Sequence, residues 1–260
     1  MSVLTQFWKS LYSPKDMARF RFQKFGKAVL YIFLLSLLSV VPEITQVGKL
    51  FQTELAMMEE TVETDIPDFT IEKGELKAGL QKPIVKEQSR FLLFFDPNAT
   101  KLPSQYETEA GMFFLKNELT VIAPNRTETY PYTLLNDQVI QKKDIQEFLN
   151  FMHSILPIAL VLLGVLLYLS DVFISFLAIT LLAMIGQFMA GQLQRKLNYK
   201  QVWVLCVYST TLPTVFFMIM TALNITVQFS TLIFSFVTLF MFYLIIKEIP
   251  APKQKEKMPL

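Results

Sequence analysis

The stretch FMHSILPIALVLLGVLLYLSDVFISFLAITLLAMIGQFMAGQ, residues 151–192, decides the fold of this chain. Asp171 is the only formally charged side chain in it. A charged side chain at the centre of a bilayer costs about 3 kcal/mol, so charge-free runs of about 20 residues predict helices that span a membrane. The low charge continues to Ile246, with only Arg195, Lys196 and Lys200 added.

Apolar runs of spanning length occur five times along the chain. They are residues 28–47, 151–169, 172–193, 202–223 and 229–246. Only Ser170-Asp171 separates the second run from the third, which predicts a tight helical hairpin at that point. The fold class expected is therefore an α-helical polytopic membrane protein with about five transmembrane helices, four of them in a core over 151–246.

The composition agrees with a membrane protein. Of the 260 residues, 52% are hydrophobic and 18% are charged, whereas a soluble domain has about 25% charged residues. The single cysteine, Cys206, excludes a disulfide framework and a cysteine-based zinc site. The single histidine, His153, excludes paired-histidine metal motifs. We expect no cofactor and no bound metal.

The N-terminal segment, residues 1–27, carries six basic residues and one acidic residue. Ser13-Pro14 predicts a helix start, because a capping hydroxyl is followed by proline at the first helical position. Basic and aromatic residues then alternate, which favours a helix in the lipid headgroup layer. An ordinary cytoplasmic flank is the alternative. The basic patch is short and adjoins a span, so nucleic-acid binding is not expected.

Residues 48–150 predict a small extracytoplasmic β-rich domain of α+β type, inserted between helices one and two. Phe69–Ile71 and Glu75–Ala78 flank the turn Lys73-Gly74, and Gly111–Leu115 and Leu119–Ile122 flank Lys116-Asn117; both patterns predict hairpins. Further predicted features are a buried strand over Arg90–Phe95, a strand over Thr127–Leu135 with Pro131 at an edge, and a helix capped by Asp144. The domain is expected to hold four to six strands.

Nothing in this domain predicts catalysis. Residues 48–150 contain no histidine and no cysteine, and hydrolysis or group transfer needs a nucleophile–base pair, a metal cluster or a carboxylate pair. An acidic run beside the first span could bind divalent cations or could be a solvated face. It comprises Glu54, Glu59, Glu60, Glu63, Asp65 and Asp68.

The predicted membrane core offers two sets of candidate residues. Ala183, Gly186 and Ala190 form a small-residue stripe, which permits close helix packing within the chain or at a dimer face. The second set is a polar membrane track, for which the alternative is hydroxyls that bond back to the helix around proline. It consists of Tyr208, Thr211, Pro213, Thr214 and Asn224.

The positions of the charged residues relative to the predicted spans bear on both function and membrane topology. With Asp171 at a hairpin tip and His153 at a helix entry, no ionisable group is expected at mid-membrane, which disfavours an ion-coupled pump. The basic N-terminal flank places that end in the cytoplasm. Five spans would then put the tail, residues 247–260, outside, although it holds four lysines. The side of the C-terminus therefore stays open.

The chain resembles the DUF1189 family of Gram-positive bacterial membrane proteins along nearly its whole length. The residues that carry the resemblance are Ser10–Lys15, Arg19–Phe22, Ile66–Phe69, Gly74, Pro83–Glu87, Phe95–Pro97, Arg195–Leu197, Tyr199–Gln201, Tyr208, Thr211–Phe217 and Ile246–Pro250. The membrane core is more distantly similar to the Yip1-type five-span fold, because the loop Leu197–Gln201 is followed by a helix with a tyrosine and a proline. The resemblance implies a multi-pass plasma-membrane protein, and some members carry a maltodextrin-utilisation label. It supplies no functional residues.

From these observations we expect a non-enzymatic integral membrane protein of the cell envelope. Its partners would be the lipid bilayer and a membrane or envelope protein, for which it would act as an adaptor or assembly partner. The alternative is an accessory subunit of a solute transport system, such as one for maltodextrin or another carbohydrate.

Overall fold

The computed structural model describes residues 2–87, 92–123, 125–135 and 138–251. The chain divides into two compact units. The first, here called the helical unit, comprises Met1–Lys49 and Ile158–Leu260. The second, called the β-rich unit, comprises Leu50–Pro157.

The described residues form seven α-helices. These are α1 (Val3–Tyr12), α2 (Pro14–Met17), α3 (Phe25–Thr64), α4 (Lys142–Gln192), α5 (Tyr199–Ser209), α6 (Thr211–Ala222) and α7 (Ser230–Lys247). Four helical segments are long and apolar enough to cross a membrane: α3, α4, the α5–α6 pair and α7. A small β-rich region follows the first of these segments and precedes the second.

The predicted helical hairpin at Ser170-Asp171 is not formed. Helix α4 runs for 51 residues without a break at this point, although Pro157 lies within it. Neither Ser170 nor Asp171 stops a helix as glycine or a well-placed proline does, and reversal of two helices takes a loop of two to five non-helical residues. The prediction that the second and third apolar runs are separate helices is therefore wrong.

Helix α5 is the centre of the helical unit. Every residue from Val202 to Ser209 is buried. The helix starts at a capping box, in which the Asn198 side chain accepts from the Gln201 backbone and the Gln201 side chain accepts from the Asn198 backbone. It ends before Thr210, where α6 follows at once, so the predicted span over 202–223 consists of two helices.

The N-terminal segment belongs to the core of the helical unit. The predicted helix start at Ser13-Pro14 is confirmed, but α2 has only four residues and a 3₁₀ turn (Ala18–Phe22) follows. Met17 and Phe20 are completely buried, so these side chains do not face a lipid headgroup layer. The Lys9 ammonium lies 3.1 Å from the Asp16 carboxylate and holds the pKa of Asp16 below its usual range.

Helix α1, which the sequence patterns did not predict, has two contrasting faces. Gln6 and Ser10 are buried, whereas Leu4, Trp8 and Tyr12, four residues apart, are exposed. An apolar stripe of α1 therefore faces away from the protein, whereas Val3 and Phe7 of the same helix pack against the core.

The β-rich unit holds two sheets. Its strands are β1 (Phe69–Glu72), β2 (Glu75–Ala78), β3 (Ile84–Glu87), β4 (Leu92–Phe95), β5 (Gly111–Phe114), β6 (Glu118–Ala123), β7 (Arg126–Pro131) and β8 (Ile140–Gln141). The smaller sheet has the order β2-β1-β8 and the larger has the order β3-β4-β5-β6-β7. Only the β4–β5 pair among these is parallel.

Both predicted hairpins are confirmed. In the first, β1 and β2 pair through the two-residue turn Lys73-Gly74, whose φ angles of 52° and 81° are both positive. Such a turn matches the twist of the flanking strands, and it favours glycine at the second position. In the second, β5 and β6 pair around Lys116-Asn117.

Strand β4 explains the unbroken apolar run that predicted it. Leu93 and Phe95 pack into one hydrophobic cluster, and Leu92 and Phe94 pack into another on the opposite face. A strand covered on both faces needs apolar residues at every position. The first two residues of the predicted strand, Arg90 and Phe91, lie outside the described residues.

Three predictions for this unit need correction. The strand predicted over Thr127–Leu135 ends at Pro131, at the sheet edge as expected, and Tyr132–Leu135 forms a 3₁₀ turn. Asp144 lies in the first turn of α4 and accepts from the Gln141 backbone N–H, so it is not the N-cap residue. The described strands number eight rather than four to six, because β3 and the two-residue β8 carry little alternation.

Candidate functional site

Within the helical unit, α3, α4, the α5–α6 pair and α7 line a cavity of about 380 Å³, here called the Asp171 cavity. Its lining combines one carboxylate and eight hydroxyl side chains with apolar residues. The polar lining residues are Ser36, Ser39, Asp171, Ser175, Thr210, Thr214, Ser230, Thr231 and Ser235. So many oxygen atoms between apolar helices form a site that can bind a polar solute.

Asp171 is the charged residue of this cavity. It lies inside the continuous helix α4 and is the only formally charged residue of the sequence between Glu147 and Arg195. The Ser36 hydroxyl on α3 faces its carboxylate, and Ser36 is only 2% exposed. The two groups do not meet the distance and angle limits of a hydrogen bond. The expectation that Asp171 lies at a hairpin tip is therefore wrong.

Two aromatic rings contribute to the apolar part of the lining. Phe217 on α6 and Phe234 on α7 have ring centroids 6.3 Å apart and are inclined by 33°. Ile32, Leu35 and Ile179 complete much of the remaining surface. The cavity therefore offers oxygen atoms and aromatic rings to the same ligand.

A buried tyrosine cluster involves the same junction of α5 and α6. The Thr211 hydroxyl donates to the Tyr208 carbonyl at 2.7 Å, so its oxygen accepts from the Tyr31 phenol at 2.8 Å. The Tyr208 phenol donates to Gln6 Oε1 at 3.1 Å. The two tyrosine rings lie 4.6 Å apart. This cluster joins the N-terminal helix α1 to α3 and α5.

Hydroxyl groups beside Pro213 bond to the backbone of their own helix. Ser209 donates to the Leu205 carbonyl at 2.8 Å and Thr210 donates to the Val207 carbonyl at 2.7 Å. Such back-bonding satisfies hydroxyls and carbonyls where the helical pattern is interrupted. Thr211 of the predicted polar track bonds back in the same way, to the Tyr208 carbonyl.

A second, smaller cavity adjoins the first. Phe217 and Ser230 line both cavities. Asn224, Thr221 and Gln46 line the second cavity, and the Gln46 amide donates to the Thr221 carbonyl. Its volume is about 320 Å³.

The predicted polar-track residues are divided among these features. Thr214 lines the Asp171 cavity, Tyr208 and Thr211 belong to the tyrosine cluster, Pro213 is buried in α6, and Asn224 lines the second cavity. The prediction did not include Asp171 or the serines of α3 and α7. Asp171 and Ser175 lie one helical turn apart in an otherwise apolar segment. This spacing is a sequence signal that could have predicted a polar site on α4.

The small-residue stripe of α4 lies inside the helical unit. Ala183 and Ala190 are completely buried. A Cβ atom at Gly186 would stand 2.8 Å from Cε1 of Phe242 on α7 and 3.2 Å from Cγ1 of Val202 on α5. Gly186 therefore permits close approach of α7 and α5 to α4.

Several oppositely charged groups of the β-rich unit are paired at its surface. His153 Nδ1 lies 3.5 Å from a Glu59 carboxylate oxygen, and Lys86 lies 3.0 Å from Asp65. Among the described residues, no group of three or more His, Cys, Asp or Glu side chains is arranged to hold a metal ion. Burial raises the pKa of Tyr132, and a hydrogen bond to Glu128 raises the pKa of Tyr130.

The described residues thus form a mostly helical protein with four helical segments long and apolar enough to cross a membrane, and a small β-rich region follows the first of them in the chain. The chain belongs to the family described as "Protein of unknown function (DUF1189)", whose model matches residues 4–246. A search of curated proteins and a search of solved structures each found no match.

Proposed function

We propose that this chain is a plasma-membrane protein that crosses the bilayer four times. The four segments would be α3, α4, the α5–α6 pair and α7. The proposal replaces five spans, because a fifth would require α4 to reverse at Ser170-Asp171. The N-terminus would be cytoplasmic, and the β-rich unit, which corresponds to the predicted domain 48–150, would be extracytoplasmic.

The charge distribution supports four spans. With the N-terminus inside, the α4–α5 connection returns to the cytoplasm, and it carries Arg195 and Lys196, with Lys200 in the next turn. The segment after α7 would also be inside, with Lys247 at the end of the helix and three lysines beyond it. Positively charged segments prefer the cytoplasmic side of a membrane. Four spans thus remove the conflict that five spans create for the C-terminus.

Within this topology, the function that the geometry supports best is non-enzymatic binding of a small polar solute as part of a solute transport system. The observation that carries this proposal is the Asp171 cavity. Ionisable residues within membrane helices face the bundle interior and mark solute or ion pathways. The argument against an ion-coupled pump, that no ionisable group is expected at mid-membrane, rested on the hairpin that is not formed.

The test compares solute retained by the wild-type protein with solute retained by a variant whose cavity is filled. Ser175→Leu places a larger side chain in the lining, and Ser154→Leu makes the same change at an exposed position of α4. Small molecules released by denaturing each purified protein are measured by mass spectrometry. We expect a solute from the wild type and from Ser154→Leu, depleted in Ser175→Leu. Equal solute from all three proteins, or none from any, contradicts the proposal.

A second candidate function is an adaptor or assembly partner in the envelope. It is favoured by β7, an edge strand of the larger sheet whose residues are almost all exposed. An unpaired edge can accept a strand from another protein. A photo-crosslinker at Tyr130 of β7 should capture an envelope protein, whereas one at exposed Lys73 should not. Identical products from both positions would contradict this role.

A further inference from the structure

The charge of Asp171 has no basic partner in the cavity. Among the described residues that line it, no lysine, arginine or histidine occurs. Charged groups buried in proteins are paired, and those within a membrane face a partner or a water-filled space. A cationic ligand would supply the missing partner.

The surrounding hydroxyls can accept hydrogen bonds from a ligand. A carboxylate only accepts, and each hydroxyl oxygen can accept as well as donate. Ser36 is 2% exposed, lines the cavity and has no hydrogen-bond partner of normal geometry among the described residues. A ligand that brings several N–H donors would satisfy these oxygens better than a ligand that only accepts.

The size and the aromatic lining favour an organic cation over a bare metal ion. A cavity of about 380 Å³ is much larger than the roughly 30 Å³ that one water molecule occupies in the liquid. The rings of Phe217 and Phe234 offer apolar and cation–π surface to a ligand with a short carbon chain. A dehydrated metal ion would leave most of this space unused.

We propose that the Asp171 cavity binds a small primary ammonium compound, with Asp171 as its counter-ion and Ser36 among its hydrogen-bond partners. The ammonium N–H groups donate to the carboxylate and to neighbouring hydroxyls, and the carbon chain lies toward Phe217 and Phe234. This inference rests on the proposed solute-binding function and adds the chemical class of the solute.

The test uses the full chain in lipid nanodiscs at neutral pH and low salt, with isothermal titration calorimetry. The probes are methylammonium, ethylammonium, ethanolammonium and butylammonium, each paired with a neutral alcohol of similar shape. Asp171→Asn removes the charge and keeps the shape, and Glu43→Gln makes the same change at an exposed position of α3. We expect saturable binding of at least one ammonium probe, at least tenfold weaker in Asp171→Asn and unchanged in Glu43→Gln.

Ser36→Ala should weaken the same probe several-fold, and thermal melting of each variant verifies its fold. Neutral alcohols that bind as tightly as the ammonium probes, with affinities unaffected by Asp171→Asn, would overturn the inference and leave the solute-binding function standing. Absence of binding by every probe, with no solute released from the purified protein, would overturn both.

Discussion

The Tyr31 phenol of α3 donates a 2.8 Å hydrogen bond to the Thr211 hydroxyl of α6, across 180 positions of the sequence. Both residues are completely buried. The bond fixes α3 against the α5–α6 junction, beside the Asp171 cavity. It belongs to the scaffold of the cavity, because neither residue lines it.

Thr211→Val should destabilise the helical unit by about 0.6–1.7 kcal/mol, the range for polar contacts between membrane helices. The change removes the oxygen that Tyr31 bonds to and leaves a buried phenol unsatisfied. Thr45→Val is the control, because Thr45 is exposed and its hydroxyl bonds only to the Val41 carbonyl among the described residues. The measurement is reversible denaturation in mixed micelles.

A double-mutant cycle with Tyr31→Phe separates this bond from other effects. The cost of the double variant should be smaller than the sum of the two single costs, since both changes remove the same interaction. Strict additivity would show that Tyr31 and Thr211 do not interact.

Gly186→Ala should destabilise the helical unit by about 1–3 kcal/mol, because the added methyl overpacks a filled contact. Its Cβ would stand 2.8 Å from Phe242 Cε1. Gly191→Ala lies in the same helix with no atom within 4 Å of the added Cβ, so it should be neutral or slightly stabilising through higher helix propensity. Equal melting temperatures for the two variants would contradict close packing at Gly186.

Gly111→Ala should disrupt the parallel pairing of β4 and β5 at a cost on the order of 3 kcal/mol. A Cβ atom built on Gly111 would stand closer to the Leu92 carbonyl oxygen than van der Waals contact allows. Gly79→Ala is the control, because its Cβ meets no atom within 4 Å. Limited proteolysis of the full chain should show faster cleavage in the β-rich unit for Gly111→Ala alone. Equal cleavage rates would argue against the β4–β5 pairing described here.

The presence of long apolar helices and the two hairpins could be predicted from the sequence because their signals are local. Hydropathy marks the apolar helices, and Lys73-Gly74 between alternating residues marks a tight turn. The continuity of α4, in contrast, could not be predicted from a local sequence signal. A charged residue within an apolar run predicts a break between two helices. Only the tertiary structure shows that serines from α3 and α7 lie around Asp171.

The candidate site could be predicted only in part for the same reason. Thr214 was predicted because it lies in a hydroxyl-rich segment of one helix. Ser36 lies in α3, whereas Ser230 and Ser235 lie in α7, and these two apolar helices are far apart in the chain. No local pattern indicates that such residues share a cavity, because their proximity depends on the packing of four helices.

The membrane topology is the most direct test of the proposed function, because the Asp171 cavity lies within a membrane only if α4 crosses that membrane once. After replacement of Cys206 by alanine, single cysteines at Asn98, Lys196 and Asn224 are probed in intact cells with a thiol reagent that cannot cross the membrane. Four spans predict labelling at Asn98 and Asn224, with Lys196 labelled only after the membrane is permeabilised. Labelling of Lys196 but not Asn224 in intact cells would restore five spans and contradict the account.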